Sequence, residues 1–112
     1  MNPHLMFDAK DHKRQVDSIL LAISEMSNIS YIDLKKDRKK QVRIWRDVAM
    51  HIATDICLMS YSEAGKAFGM SSSRIRDSGM RVMDWNQDIL NRLAAGICKR
   101  SLEIMETIKV KG

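Results

Sequence analysis

Proline, glycine and cysteine are scarce in this sequence. Its 112 residues include one proline and five glycines, too few for the tight turns of an all-β fold. The two cysteines, Cys57 and Cys98, form no CxxC pair, which argues against a disulfide framework and a zinc site and favours a reducing cytoplasm. No apolar run approaches the roughly 20 residues of a membrane span. The chain therefore reads as one small cytoplasmic domain with no membrane segment.

Positive charge is concentrated in one stretch. The chain carries 19 Lys and Arg against 14 Asp and Glu, a net charge of +5. A local cationic patch on a small domain indicates a polyanionic partner, with nucleic acid first, although a solvated basic loop that binds nothing is the simpler alternative. Because no apolar stripe runs through this stretch, we expect a loop over residues 35–46. Its bases are Lys35, Lys36, Arg38, Lys39, Lys40, Arg43 and Arg46.

Every periodic segment of the sequence has the period of a helix. Apolar residues recur at spacings of three and four, with Asn28 as the stop of the first helix. We therefore predict an all-α fold of about six helices, with no repeat and no low-complexity segment. The predicted helices cover about 9–27, 30–37, 44–59, 60–68, 71–85 and 87–109.

The segment from Ser60 to Trp85 has the form of a helix-turn-helix. Ser60 and Glu63 form a capping box, and Gly69 stands where a left-handed residue ends a helix. In this motif the first turn of the second helix enters the major groove, where small residues permit close approach and arginine reads guanine. An ordinary helical hairpin is the alternative. The predicted base-facing residues are Ser71, Ser72, Ser73, Arg74 and Arg76.

Catalytic and metal-binding patterns are not found in the sequence. The segment Gly65 to Gly69 lacks the Lys-Ser/Thr pair of a phosphate-binding loop. His51 and Cys57 are spaced so that they point to different faces of a helix. We therefore expect no enzymatic activity, no metal, no cofactor and no nucleotide.

Three further segments accompany the basic stretch in a fixed order: Ile29–Leu34, Arg46–Met50 and Ser62–Gly69. With these segments, residues 23–84 resemble the DNA-binding C-terminal domain of the bacterial replication initiator DnaA, in a short stand-alone form as in alphaproteobacteria. The resemblance implies a Trp-repressor-like fold and sequence-specific binding of duplex DNA. It also implies that Arg38 enters the minor groove and that Arg46 contacts the major groove.

The sequence departs from the family pattern where bases would be read. Residues 70–75 replace the family's R-D-H-T-T-V signature, and Asp47 stands where the family has glutamine. A carboxylate near DNA repels phosphate but can accept a hydrogen bond from a cytosine amino group, so Asp47 joins the predicted DNA-binding residues. These changes keep the scaffold and alter base recognition.

The chain divides into a loose N-terminus (1–8), a helix-turn-helix domain (9–85) and a C-terminal helix (86–112). We expect a sequence-specific double-stranded DNA-binding protein, a transcription regulator associated with the nucleoid. The alternative is a protein-interaction module of the same lineage that has lost base reading. Asp47 and the missing signature favour the alternative, whereas Arg38, Arg46 and the local charge favour DNA.

An apolar stripe runs along the C-terminal helix, through Leu90, Leu93, Ile97 and Ile104. A helix of this length extends beyond what a few short helices can cover, so we expect part of the stripe to build a homodimer. Two-fold symmetry would then set two recognition helices one DNA turn apart. In the alternative arrangement, the helix folds back over the apolar face of the first helix.

Overall fold

The computed structural model describes residues 9–111. This part of the chain contains six α-helices and no strand. The predicted all-α fold is confirmed, and the predicted loose terminus 1–8 lies outside the described residues. The helices are α1 (Ala9–Ser27), α2 (Tyr31–Lys36), α3 (Lys40–His51), α4 (Tyr61–Phe68), α5 (Ser72–Val82) and α6 (Gln87–Lys111).

The end of α3 is less regular than its sequence pattern predicts. A π-helical turn, Ile52–Ile56, continues the helix, and the Cys57 N–H donates to the Ile52 carbonyl at 2.9 Å. The chain then leaves through Leu58, a non-glycine residue at a φ of 60°. The helix predicted to reach Met59 therefore ends slightly earlier. The predicted stop at Asn28 is confirmed, since α1 ends at Ser27.

The core lies between α1, α6 and the helices of the middle of the chain. Leu90 and Ile97 on α6 are at most 2% exposed and pack in the same core as Ile19 and Ile23 of α1. The two helices are also joined at the surface, where Arg100 donates to the Glu25 carboxylate at 2.7 and 3.0 Å. Much of the apolar stripe of α6 is thus covered by its own chain, as in the alternative that we considered.

Both tryptophans of the chain line one apolar cleft. The cleft has a volume of about 440 Å³ and lies between α3 and the first turns of α6. Trp45 and Val48 form its α3 side, and Ile89 and Leu93 its α6 side, with Trp85 at the turn that leads into α6. Ile89 is 64% exposed, so the cleft opens to solvent along this edge.

The helix-turn-helix consists of α4, a short turn and α5. Both bonds of the predicted capping box are present: the Glu63 N–H donates to Ser60 Oγ at 3.0 Å, and the Ser60 N–H donates to Glu63 Oε1 at 2.9 Å. Gly69 ends α4 in the left-handed region, at a φ of 74°. Ser71 caps α5 by accepting from the Arg74 N–H at 3.3 Å. The predicted start, turn and cap are confirmed.

The turn also depends on a glycine inside α4. A Cβ atom at Gly65 would stand 2.7 Å from the carbonyl oxygen of Met70, a contact that real side chains do not make. The Met70 N–H donates to the Gly65 carbonyl at 2.8 Å, so this contact is part of the turn itself. Gly65 therefore allows the chain to fold back closely against α4.

We expect Gly65→Ala to destabilise the protein by about 1–3 kcal/mol, because the new methyl group forces the backbone of the turn to move. The matched control is Gly96→Ala in α6, where a Cβ meets nothing within 4 Å. That change should stabilise the protein by about 0.5–1 kcal/mol, since alanine is the better helix former. Urea unfolding followed by circular dichroism measures both. Equal unfolding midpoints for the two variants would contradict the close-approach argument.

Candidate nucleic-acid interface

The basic stretch is mostly helical, so the predicted loop over residues 35–46 is wrong. Lys35 and Lys36 form the last turn of α2, and α3 begins at Lys40. Only residues 37–39 form a loop, and Arg38 and Lys39 lie in it. Basic residues at the C-terminal end of α2 are favourable, because the carbonyl end of a helix carries partial negative charge.

The start of α3 was not predicted because a charged residue, Arg46, occupies one of its core positions. The inward positions of early α3 are Val42, Arg46 and Ala49, spaced by four and three, and all three side chains are buried. With arginine in the middle position, the stripe does not appear as an apolar pattern. The periodicity of the buried face is nevertheless that of a helix.

The buried side chain of Arg46 holds the short loop 37–39 through hydrogen bonds to backbone carbonyls. Its side chain is 5% exposed. Nε donates to the Leu34 carbonyl at 2.6 Å, and Nη2 donates to the carbonyls of Asp33 and Asp37. These oxygens lie in α2 and in the loop that follows it. The expectation that Arg46 contacts the major groove is therefore corrected: it positions the segment that carries Arg38.

The guanidinium that holds the loop also lies within electrostatic reach of α5, the recognition helix. The pKa of Arg46 is lowered, first by burial and then by the positive charge of Arg74 on α5. This influence places the first half of α5 close to the guanidinium that holds the loop. Arg46 is therefore in an environment to whose positive charge α5 contributes.

Asp47, the next residue of α3, binds α5, the recognition helix of the helix-turn-helix. Its carboxylate is 2% exposed and accepts from Ser78 Oγ at 2.7 Å. Arg81 donates to the same carboxylate through Nε at 2.9 Å and through Nη2 at 2.8 Å. Because these hydrogen bonds favour the charged guanidinium, they raise the pKa of Arg81. We call Asp47, Ser78 and Arg81 the carboxylate clamp.

The expectation that Asp47 faces DNA is corrected by this geometry. Its oxygens are occupied by α5, so they can neither repel phosphate nor accept from cytosine in this conformation. The clamp was not predicted from the sequence. Ser78 and Arg81 share a face of α5 because they are three residues apart, but nothing in the sequence links them to a carboxylate more than thirty residues earlier.

The predicted residues at the start of α5 have different roles. Ser71 is the N-cap, and its hydroxyl also lies 3.2 Å from that of Ser73. Ser72, Ser73, Arg74 and Arg76 are exposed. Within residues 11–107, whose side chains are described, neither arginine forms an ion pair. Their charges are thus available to a ligand.

The remaining bases form an accessible cationic surface. Lys35 is half-buried, with its ammonium 5.4 Å from the centre of the Tyr31 ring. The Asp37 carboxylate accepts from the Lys39 N–H at 2.8 Å and so caps the loop. The exposed bases of this surface are Lys36, Arg38, Lys39, Lys40 and Arg43.

The part of the chain that the structure describes holds neither a metal-binding cluster nor a membrane-spanning helix. Among those residues, no three His, Cys, Asp or Glu side chains are grouped so that they could hold a metal ion. Over the same residues, no helix is long and apolar enough to cross a membrane.

The fold and the interface define a DNA-binding helix-turn-helix domain. The family model of the bacterial DnaA protein helix-turn-helix matches residues 16–78, more than half of the chain. The chain therefore belongs to this family, and the predicted family is confirmed. No curated protein and no solved structure matched the chain.

Substitutions at two arginines of α3 should separate positioning from contact. Arg46→Ala leaves buried carbonyl groups without their donor, so we expect a loss of about 1–3 kcal/mol in the free energy of unfolding. Arg43→Ala, its exposed control on the same helix, should change stability by less than about 0.5 kcal/mol and weaken DNA binding. Urea unfolding and DNA titration measure the two effects. Undiminished stability of Arg46→Ala would contradict the positioning role.

Proposed function

We propose that this domain is a sequence-specific regulator of transcription that acts on double-stranded DNA in the nucleoid. One observation carries the proposal: Arg46 and Asp47, neighbours on α3, bind the basic loop and the recognition helix respectively. Two DNA-binding elements are thereby held in a fixed relation by one scaffold helix. The proposal gives no role to a cofactor or a nucleotide.

The two elements suit different parts of the duplex. Arg38 extends from a loop of three residues and suits the minor groove, where a narrow groove concentrates negative potential. The recognition helix α5 suits the major groove, which is wide enough for a helix. Lys36, Lys39 and Arg43 are exposed and suit phosphate contacts, which position a protein without reading sequence.

The burial of Asp47 removes one reason to expect a pure protein-interaction module. Its charge was a reason to expect repulsion of phosphate, but the clamp with Arg81 neutralises it inside the domain. The changed signature at the start of α5 is the remaining reason. A changed reading segment is equally consistent with a changed DNA site, so DNA regulation is the better supported function.

A homodimer remains part of the proposal, with a smaller contact surface than the sequence suggested. Leu90 and Ile97 belong to the core, whereas Ile89 and Leu102 on α6 are 64% and 62% exposed. We expect a mass of twice 12.9 kDa by light scattering at tens of micromolar protein. Ile89→Glu, at the edge of the apolar cleft, should give the monomer, and Met26→Glu on α1 should not. A monomeric wild type would refute the dimer.

Affinity for duplex DNA should fall steeply with salt. A protein that contacts about 6–10 phosphates loses roughly 10³- to 10⁵-fold in affinity between about 50 and 200 mM salt, because bound counterions are released. Removing one basic contact, as in Arg38→Ala, should lower the slope by about one. Gel-shift titration with random-sequence duplex measures the slope. No binding at low salt, or a flat dependence, would reject DNA binding and favour the protein-interaction module.

A further inference from the structure

The residues on the outward face of the recognition helix α5 are not the same set as the residues of its first turn. Ile75, Ser78 and Val82 are buried and define the inward side of α5. Ser73, Arg76, Asp77 and Met80 follow the spacing of three, four and seven and lie on the opposite side. All four are exposed, with Met80 at 62%. We call these four residues the outward stripe.

Two of the residues first expected to read bases lie outside the outward stripe. Ser71 caps α5. Arg74 is spaced by four and by seven from Ser78 and Arg81, the two residues that bind Asp47, so it stands in the row that faces α3. The positive charge of Arg74 at Arg46 agrees with this placement. The first turn therefore contributes less to a reading surface than the outward stripe does.

The outward stripe carries an acid, Asp77, whose carboxylate accepts no hydrogen bond from the side chains of residues 11–107, the ones that the structure describes. Asp77 is exposed and lies one turn before Arg81. Arg81 is attracted by Asp77, but its guanidinium donates to Asp47. Next to phosphate an exposed carboxylate is unfavourable, because like charges repel. It becomes favourable on a DNA-facing helix only where a base edge offers it a donor.

We propose that Asp77 and Arg76 together read a C·G base pair in the major groove. This inference rests on the proposed DNA binding. In the major groove a carboxylate accepts from the N4 amino group of cytosine, and an arginine donates to O6 and N7 of guanine. The two groups are adjacent edges of one base pair, and Arg76 and Asp77 flank the midline of the outward stripe, one on each side, so both side chains can be directed at the same pair. Arg74, in contrast, contacts the DNA backbone.

The experiment begins with selection of a binding site from a random-sequence duplex library by the wild-type protein. The same selection is then made with Asp77→Ala, Asp77→Asn, Arg76→Ala and Arg74→Ala, and with Asp88→Ala on α6 as a control for the loss of one exposed acid. All four substituted positions are exposed on the surface of helices, so the five variants should keep the wild-type circular dichroism spectrum and thermal midpoint.

We expect Asp77→Ala and Arg76→Ala to relax preference at one and the same C·G pair, by roughly 5- to 150-fold. Asp77→Asn should change the preferred base from cytosine to adenine, the usual partner of an asparagine amide. If Asp77 had only a structural role, Asp77→Asn would not change the preferred base from cytosine to adenine. Arg74→Ala should weaken binding to all sequences about equally, and Asp88→Ala should retain the wild-type preference.

A base analogue tests the proposed contact directly. Replacing the selected cytosine by 2-pyrimidinone, which lacks the N4 amino group, should weaken wild-type binding but not the binding of Asp77→Ala, because the contact can be lost only once. If all Asp77 variants select the wild-type site, or bind every sequence more tightly with unchanged preference, the reading role is wrong although DNA binding stands. If the wild type selects no site and binds no duplex at low salt, the proposed function itself fails.

Discussion

The arrangement of this domain depends on the buried carboxylate of Asp47. Through Ser78 and Arg81 it ties the recognition helix to α3. The preceding side chain on α3, Arg46, ties the end of α2 and the basic loop to the same helix. The two neighbours point to different elements, because consecutive residues on a helix are turned by about 100°. Any rotation of α3 would thus displace both elements together.

Stability alone does not explain why polar groups hold these positions. Taking a carboxylate from water costs free energy that an ion pair repays only in part, and a well-packed apolar contact is often as stable. A bidentate pair between a carboxylate and a guanidinium, however, fixes direction as well as distance. Here Arg81 is still 42% exposed on its outer side, which lowers the cost of its burial. The clamp thus defines the angle of α5 more than it strengthens the fold.

The parts of the fold that were predictable follow local rules. The capping box at Ser60, the left-handed Gly69 and the N-cap Ser71 each depend on residues within one turn, and all three were predicted from their order in the sequence. The basic stretch was wrongly predicted as a loop because Arg46 occupies a core position. Asp47 was placed toward DNA because its partners on α5 are distant in sequence. Hydrophobic patterning detects buried apolar faces, so it misses polar groups that are buried with their partners.

The position of the two tryptophans decides what the intrinsic fluorescence of this protein reports. Trp45 and Trp85 both line the cleft between α3 and α6, and the sequence contains no other tryptophan. On α3, the cleft residues lie on the side turned away from Arg46, hence away from the basic loop. Their emission consequently follows the packing of the scaffold, while the outward stripe of α5 carries no tryptophan. A spectral change on addition of a ligand would signal a rearrangement of the helices behind the interface, not contact at the interface itself.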